Sequence, residues 1–381
     1  MFAAIIAWLG RRPRLSPPTG DALRVPSDSP RADAGTKLAI LALLRGQEPQ
    51  HEVSPETAYD SLRQIECGGY LRDLWKRAGR FDSLPRGWAV ALERIYRKTA
   101  MDTLSALADF RAISRFFDQE RVPFILLKGS AYLSDLYDEP GQRPLTDIDL
   151  LVRPADAIRM YNCLKEAGYS TLQWDDDYRR FEVIAPGTGR CSFEVHWRLG
   201  LPERGIDQDE VWTRSCAAVL EEIPCRRLAR EDALLFHVAH QADHFFAPSL
   251  KWVVDLRLMF RRWMLDPDSL LVQAGGWRVR TALCLAVLYL EKLFPGEAPA
   301  GLRGGLSLGW LRRWLLDPFL DPEPLGMMRV GNGRLARYSA ACILLDRPAD
   351  VLQGLTRALR RPFLRRFGQS RRNGAPPPLW H

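Results

Sequence analysis

Lysine is scarce in this 381-residue chain. Only seven of its 54 basic residues are lysine, the rest being arginine, so a lysine beside a motif carries more information than usual. Cysteine is neither abundant nor paired: seven are scattered along the sequence, with no C-x-x-C. An odd, dispersed set argues against a disulfide framework and a structural zinc site, and it fits a reducing compartment. No H-E-x-x-H occurs among the six histidines. Long apolar runs are missing too. The opening stretch MFAAIIAWLG precedes the basic RRPRL, the reverse of a secretory signal, and it is too short to span a bilayer. The expectation is a cytoplasmic protein without a transmembrane segment.

What is present reads as an ordinary globular chain, 46% apolar and 26% charged, with 12 Trp to fill sizeable cores. The net charge of +8 favours phosphate or polyanion partners and says nothing about fold. Residues 1–35 read as a flexible segment and linker, with residues 12–35 rich in Pro, Ser, Asp and Arg. Residues 36–118 carry apolar residues at three-to-four spacing, the mark of helices. The texture changes at Pro123. PFILLKG is a short apolar run ending in Gly, suited to a buried strand, and SAYLSDLYDE follows as a helix. TDIDLLV is a second strand. PADAIRMYNCLKEAGY is an amphipathic helix with Pro154 at its start and Gly168 at its end. RRFEVIA and RCSFEVHWRL are further strands around the turn-like Pro186–Gly187–Thr188–Gly189. Residues 119–222 are therefore expected to hold a small α/β sheet, 223–356 a C-terminal helical bundle, and 357–381 a loose, basic, Pro-rich tail, giving an α/β plus α fold. Nothing in that tail interleaves aromatics as nucleic-acid modules do, so a nucleic-acid partner is not expected.

The stretch RPLTDIDLLV places two aspartates in an apolar run. On a strand, Asp147 and Asp149 share a face with Cα atoms about 6.5 Å apart, while Ile148, Leu150 and Val152 take the other. Carboxylates that close repel unless a cation lies between them. Mg²⁺ fits, since it takes few protein ligands and fills its shell with water and substrate phosphates. A phosphate-holding turn is available upstream. Lys128–Gly129–Ser130 ends one strand and opens a helix, with free N–H groups, a serine hydroxyl and a lysine countercharge. Arg143 can contact phosphate or pair with the aspartates. Downstream, Glu194 sits in an apolar strand with His196 on the same face. A third carboxylate of this kind completes a two-metal site and can accept a proton from an attacking hydroxyl. A D-x-D alone is more often a turn or surface feature. Its order between Lys-Gly-Ser and Glu194 is what points to chemistry.

LLKGSAYLSDLY, RPLTDIDLLV and EVHWRL together resemble the uncharacterised nucleotidyltransferase family of the DNA polymerase β-like superfamily. The resemblance is strong over residues 119–200 and looser to about 262. It implies a small mixed-sheet nucleotidyltransferase core. It also implies that Gly129 and Ser130 hold the triphosphate, that Asp147 and Asp149 bind two Mg²⁺ (with Mn²⁺ an alternative), and that Glu194 completes the triad. The reaction implied moves an NMP group from an NTP to a hydroxyl or phosphate on a small-molecule, peptide or protein acceptor. The interval from Ser130 to Asp147 is longer than the superfamily's usual one, whereas the arginine before the D-x-D matches this family. Two further readings stand beside it. One is a catalytically silent nucleotide-sensing module. The other is a phosphohydrolase built on His237, His240 and His244, which share a helix face with Asp243 or Asp255 nearby. A helical domain facing the sheet would bring His240, Lys251 and Asp255 to the cleft rim, with Lys251 on the triphosphate and Asp255 orienting the acceptor.

Overall fold

The computed structural model describes residues 34–356, apart from 51, 176–178, 187–190, 202, 247–248, 322, 324, 326–327, 329, 331–339 and 355. The expected linker up to residue 33, the turn at 187–189 and the basic tail lie outside the described residues. Four helices come first: α1 (Ala34–Leu44), α2 (Pro55–Ile65), α3 (Gly68–Arg77) and α4 (Arg86–Gln119). α2 begins as its sequence dictates. Ser54 Oγ accepts from the Thr57 N–H at 3.2 Å and Pro55 opens the first turn. α4 runs 34 residues, about 51 Å at the helical rise, and it serves two cores. Trp88, Ala91, Leu92 and Ile95 enter one, and Ala106, Leu107, Phe110, Ile113 and Phe117 enter the other.

The sheet follows. β1 (Ile125–Leu127) leads into the short α5 (Lys128–Leu133), then β2 (Asp147–Leu151), α6 (Pro154–Glu166), β3 (Ser170–Asp175), β4 (Arg180–Ile184) and β5 (Ser192–His196). After α7 (Gln208–Arg214) comes the hairpin β6 (Cys216–Leu220) and β7 (Ile223–Arg227). The seven strands lie in the order β3-β4-β5-β2-β1-β7-β6. β2 runs parallel to β5 and β1 parallel to β7, and the other pairs are antiparallel. The expected mixed sheet is present and larger than the four strands read from sequence. The boundary expected between 222 and 223 cuts the β6–β7 hairpin, because β7 completes the sheet by pairing with β1.

α8 (Arg230–Asp243), α9 (Lys251–Arg262), α10 (Pro267–Gly276), α11 (Arg280–Leu293), α12 (Ala300–Gly305) and α13 (Trp310–Leu316) follow the sheet. Strand alternation divides the packing. Leu126, Ile148, Leu150, Val152, Phe181, Val183, Phe193 and Val195 face α6 and the second half of α4 in one core. Each such side chain, fully buried, contributes about 1.5–3 kcal/mol. Ile125, Leu127 and Leu151 face the other way and join a single core with α1–α3 and with α8, α9 and α11. The N-terminal and C-terminal helices thus close over the same sheet face. Among the described residues no helix is long and apolar enough to cross a membrane.

Candidate active site

The face of the sheet shared by the two sets of helices is apolar at β1 and polar at β2, β5 and β4. β2 and β5 are parallel with Asp149 opposite Glu194 and Leu151 opposite His196. β4 is antiparallel to β5 with Glu182 opposite Glu194 and Arg180 opposite His196. Because side chains alternate, Asp147, Asp149, Glu194, His196 and Arg180 emerge on one side. One ligand atom each from Asp149, Glu194 and His196 lies within 4.8 Å of the others, the one such group among the described residues. Asp147 sits at the start of β2, half-exposed, and accepts from Thr146 Oγ1 at 3.0 Å.

Lys128 enters this group from the start of α5, just after β1. Its Nζ donates to Asp149 Oδ1 at 2.5 Å and stands 3.6 Å from Glu194 Oε2. His196 Nε2 meets the same two oxygens, at 2.9 Å and 3.4 Å. Arg180 pairs with the other Glu194 oxygen, Oε1. Glu194 Oε2 is buried and accepts no hydrogen bond. Lys128 itself starts α5 in the left-handed region, at φ +50°, a conformation that costs a non-glycine residue about 1–3 kcal/mol and concentrates at functional sites.

The electrostatics follow from burial against pairing. Burial works against the Lys128 charge, but Asp149, Glu194 and Asp147 outweigh it and hold the ammonium above the ordinary lysine value. Burial pushes the Asp149 carboxyl up, with Lys128 opposing and Asp147 reinforcing. Glu194 is also desolvated, yet His196, Lys128 and Arg180 hold it well below the usual carboxylate range. His196 loses hydration, but its bond to Asp149 and the nearby Glu194 carboxylate pull it up.

The remaining candidates divide. Ser130 is buried and its Oγ donates to the Leu127 carbonyl at 2.9 Å, tying the turn to the end of β1. Behind Gly129 lies Arg143: a Cβ on Gly129 would stand 2.2 Å from its guanidinium. Arg143 pairs with neither Asp147 nor Asp149. It donates from Nε and Nη2 to the two oxygens of Asp255, both at 2.9 Å, and Tyr137 adds a hydroxyl to Asp255 at 2.5 Å. Burial opposes the Asp255 charge, and Arg143 overcomes it to hold the carboxyl low. Lys251 is engaged elsewhere, 3.0 Å from Glu66.

His237 Nε2 donates to the Trp252 carbonyl at 2.9 Å and belongs to the core. The tautomer follows from the partner, since a carbonyl only accepts. His240 and His244 meet edge-to-face at 4.5 Å between ring centroids. Burial and then the Lys128 charge push both below the ordinary histidine value. Arg180 was not singled out from sequence. The alternation in RFEVI puts it opposite Phe181 and Val183, but its place beside Glu194 depends on the register of β4 against β5.

A family model described as an uncharacterised nucleotidyltransferase matches residues 51–295. No curated protein matches the chain. Among solved structures, the antibiotic-resistance factor ANT(2'')-Ia in solution is 17% identical with a TM-score of 0.36, covering 47% of this chain and 95% of its own. The lincosamide antibiotic adenylyltransferase LnuA, lincomycin-bound, is 18% identical with a TM-score of 0.29, covering 40% and 94%. An antigenic nucleotidyltransferase-like protein from Paracoccidioides brasiliensis is 14% identical with a TM-score of 0.32, covering 54% and 91%.

Proposed function

The chain belongs to the uncharacterised nucleotidyltransferase family, and from that premise we propose that it moves an NMP group from an NTP to an acceptor hydroxyl or phosphate, releasing pyrophosphate. The observation that carries this reading is the parallel register that sets Asp149 beside Glu194, with Asp147 two residues away on the same face. The donor set suits a divalent cation. It offers two buried carboxylates, an imidazole, and one carboxylate oxygen, Glu194 Oε2, that accepts no hydrogen bond. Asp147, Asp149 and Glu194 would hold Mg²⁺, or Mn²⁺, as a pair of ions. When bound, they supply an acidified acceptor hydroxyl and charge neutralisation on the leaving pyrophosphate.

The chain's own groups do the rest. The turn at Gly129 and Ser130 presents backbone N–H groups at the start of α5 to the triphosphate. Glu194 is kept ionised by its neighbours, as a carboxylate that ligates a metal must be. Arg143 is a positioning residue in this reading. Drawing it to a phosphate would strand Asp255, which is fully buried, and leaving a buried charge unpaired is strongly destabilising. Lys251 stands 3.0 Å from Glu66 in a part-exposed pair, a contact worth little on its own. The acceptor is a small molecule, a peptide or a protein side chain.

The test is pyrophosphate release from each NTP with Mg²⁺ and a panel of acceptors. Asp149→Asn and Glu194→Gln should each abolish it while the fold is kept. Release that persists undiminished in both would remove the site from the reaction. Nucleotide binding without product from any acceptor would favour the sensing module.

A further inference from the structure

A lysine and a histidine already stand against the oxygens that a metal would use. Lys128 Nζ and His196 Nε2 both contact Asp149 Oδ1 and Glu194 Oε2. The ammonium is the closest of these contacts, at 2.5 Å from Asp149. It is drawn from one of only seven lysines in the chain. Its backbone is held in a left-handed turn at φ +50°. An ammonium and a divalent ion compete for the same two oxygens, since like charges at contact distance in a desolvated site repel strongly. Imidazole differs: deprotonated, it is itself a metal ligand and can stay.

We propose that Lys128 is a built-in counter-cation that holds the carboxylate pair together without metal and is displaced from it on metal binding. This rests on the reading of Asp149 and Glu194 as the cation site. Metal loading and release of the lysine are then one event. The same exchange frees an ammonium beside the Gly129–Ser130 turn, where a flexible four-carbon stem can bring it to a substrate phosphate. An NTP arriving with its metal would therefore trade places with the lysine, and the metal alone would bind against an internal competitor.

The experiment is Mn²⁺ binding in the absence of nucleotide, followed by electron paramagnetic resonance on the full chain and on Lys128→Met. The variant should bind Mn²⁺ about tenfold more tightly or better, within the range of ordinary couplings between sites. It should release pyrophosphate more slowly despite the tighter metal. A lysine of merely structural value would give the opposite sign, a loosened site and weaker binding. Equal or weaker Mn²⁺ affinity in the variant overturns the proposal. A second measurement needs no variant: in crystals of the native chain holding Mn²⁺, Nζ should stand beyond hydrogen-bonding distance of Asp149. A lysine still bonded to Asp149 beside the ion also overturns it. Absence of Mn²⁺ binding in both proteins would overturn the cation site itself, a distinct failure that takes this inference with it.

Discussion

Two buried charged clusters flank the turn at Gly129, and they are built differently. Behind it, Arg143 and Asp255 face each other through two parallel bonds, Tyr137 adds a third, and every group has a partner of matching geometry. In front, Lys128 and His196 compete for the same oxygens of Asp149 and Glu194, one carboxylate oxygen accepts no hydrogen bond, and Asp147 adds a like charge. The bidentate pair has the geometry of a cluster that fixes structure. The crowded one has the signature of a cluster whose charges await a partner. Burial alone does not separate the two, since Asp149 and Asp255 are 2% and 0% exposed. Satisfaction does.

The contrast predicts opposite consequences for removing one charge on each side. Asp149→Asn should lower pyrophosphate release about 10³-fold or more, on the order of 4 kcal/mol of transition-state stabilisation. Its free energy of unfolding should change by only about 1 kcal/mol, because one member of a mutually repelling acidic set is neutralised while Lys128 keeps Glu194 nearby. Arg143→Met should do the reverse. Asp255 would be left buried and unpaired, at a cost of about 3–5 kcal/mol in stability, read from denaturant unfolding. If Asp149→Asn destabilises the chain as much as Arg143→Met, the distinction between the clusters is lost.

The turn that separates them gives a smaller effect. Gly129→Ala would drive a methyl to within 2.2 Å of the Arg143 guanidinium, and overpacking of this kind costs about 1–3 kcal/mol. In an Arg143→Met background the same substitution should cost markedly less, because the two positions share one space. Equal costs in both backgrounds would show that Gly129 is required for some other reason.

The front cluster was legible from sequence because its carboxylates interrupt apolar strands, and an interruption on a buried face is conspicuous at a period of two. Lys128 drew notice through rarity, but its bond to Asp149 depends on a left-handed start to α5 that no local glycine announces at that position. Arg143 and Asp255 lie 112 positions apart, and a long-range pair of this kind leaves no local trace. The fold was legible where apolar periodicity was strong. β6 and β7 escaped because their turn is Glu221–Glu222, both at positive φ (51° and 67°), where Asn-Gly or Asp-Gly would ordinarily mark a two-residue hairpin. β3 escaped because most of its residues are exposed, so it lacks the half-buried alternation that identifies a strand.

The smallest expected effect concerns pH and belongs to the satisfied side. His237 donates to the Trp252 carbonyl and packs edge-on to Tyr132 at 5.6 Å between ring centroids. Burial lowers its proton affinity in the folded chain, with Asp255 opposing only in part. The sign follows from linkage. Below the ordinary histidine value of about 6.5 the unfolded chain takes up a proton that the folded chain refuses, so stability falls as pH drops below that value and is flat above it. One such group contributes a slope of at most about 1.4 kcal/mol per pH unit. His237→Asn, whose amide can still donate to the Trp252 carbonyl, should flatten the unfolding free energy between pH 6.5 and 5 by up to that slope, while leaving stability at pH 8 nearly unchanged. An unaltered pH slope in the variant would move the titration to other groups, His240 and His244 first among them.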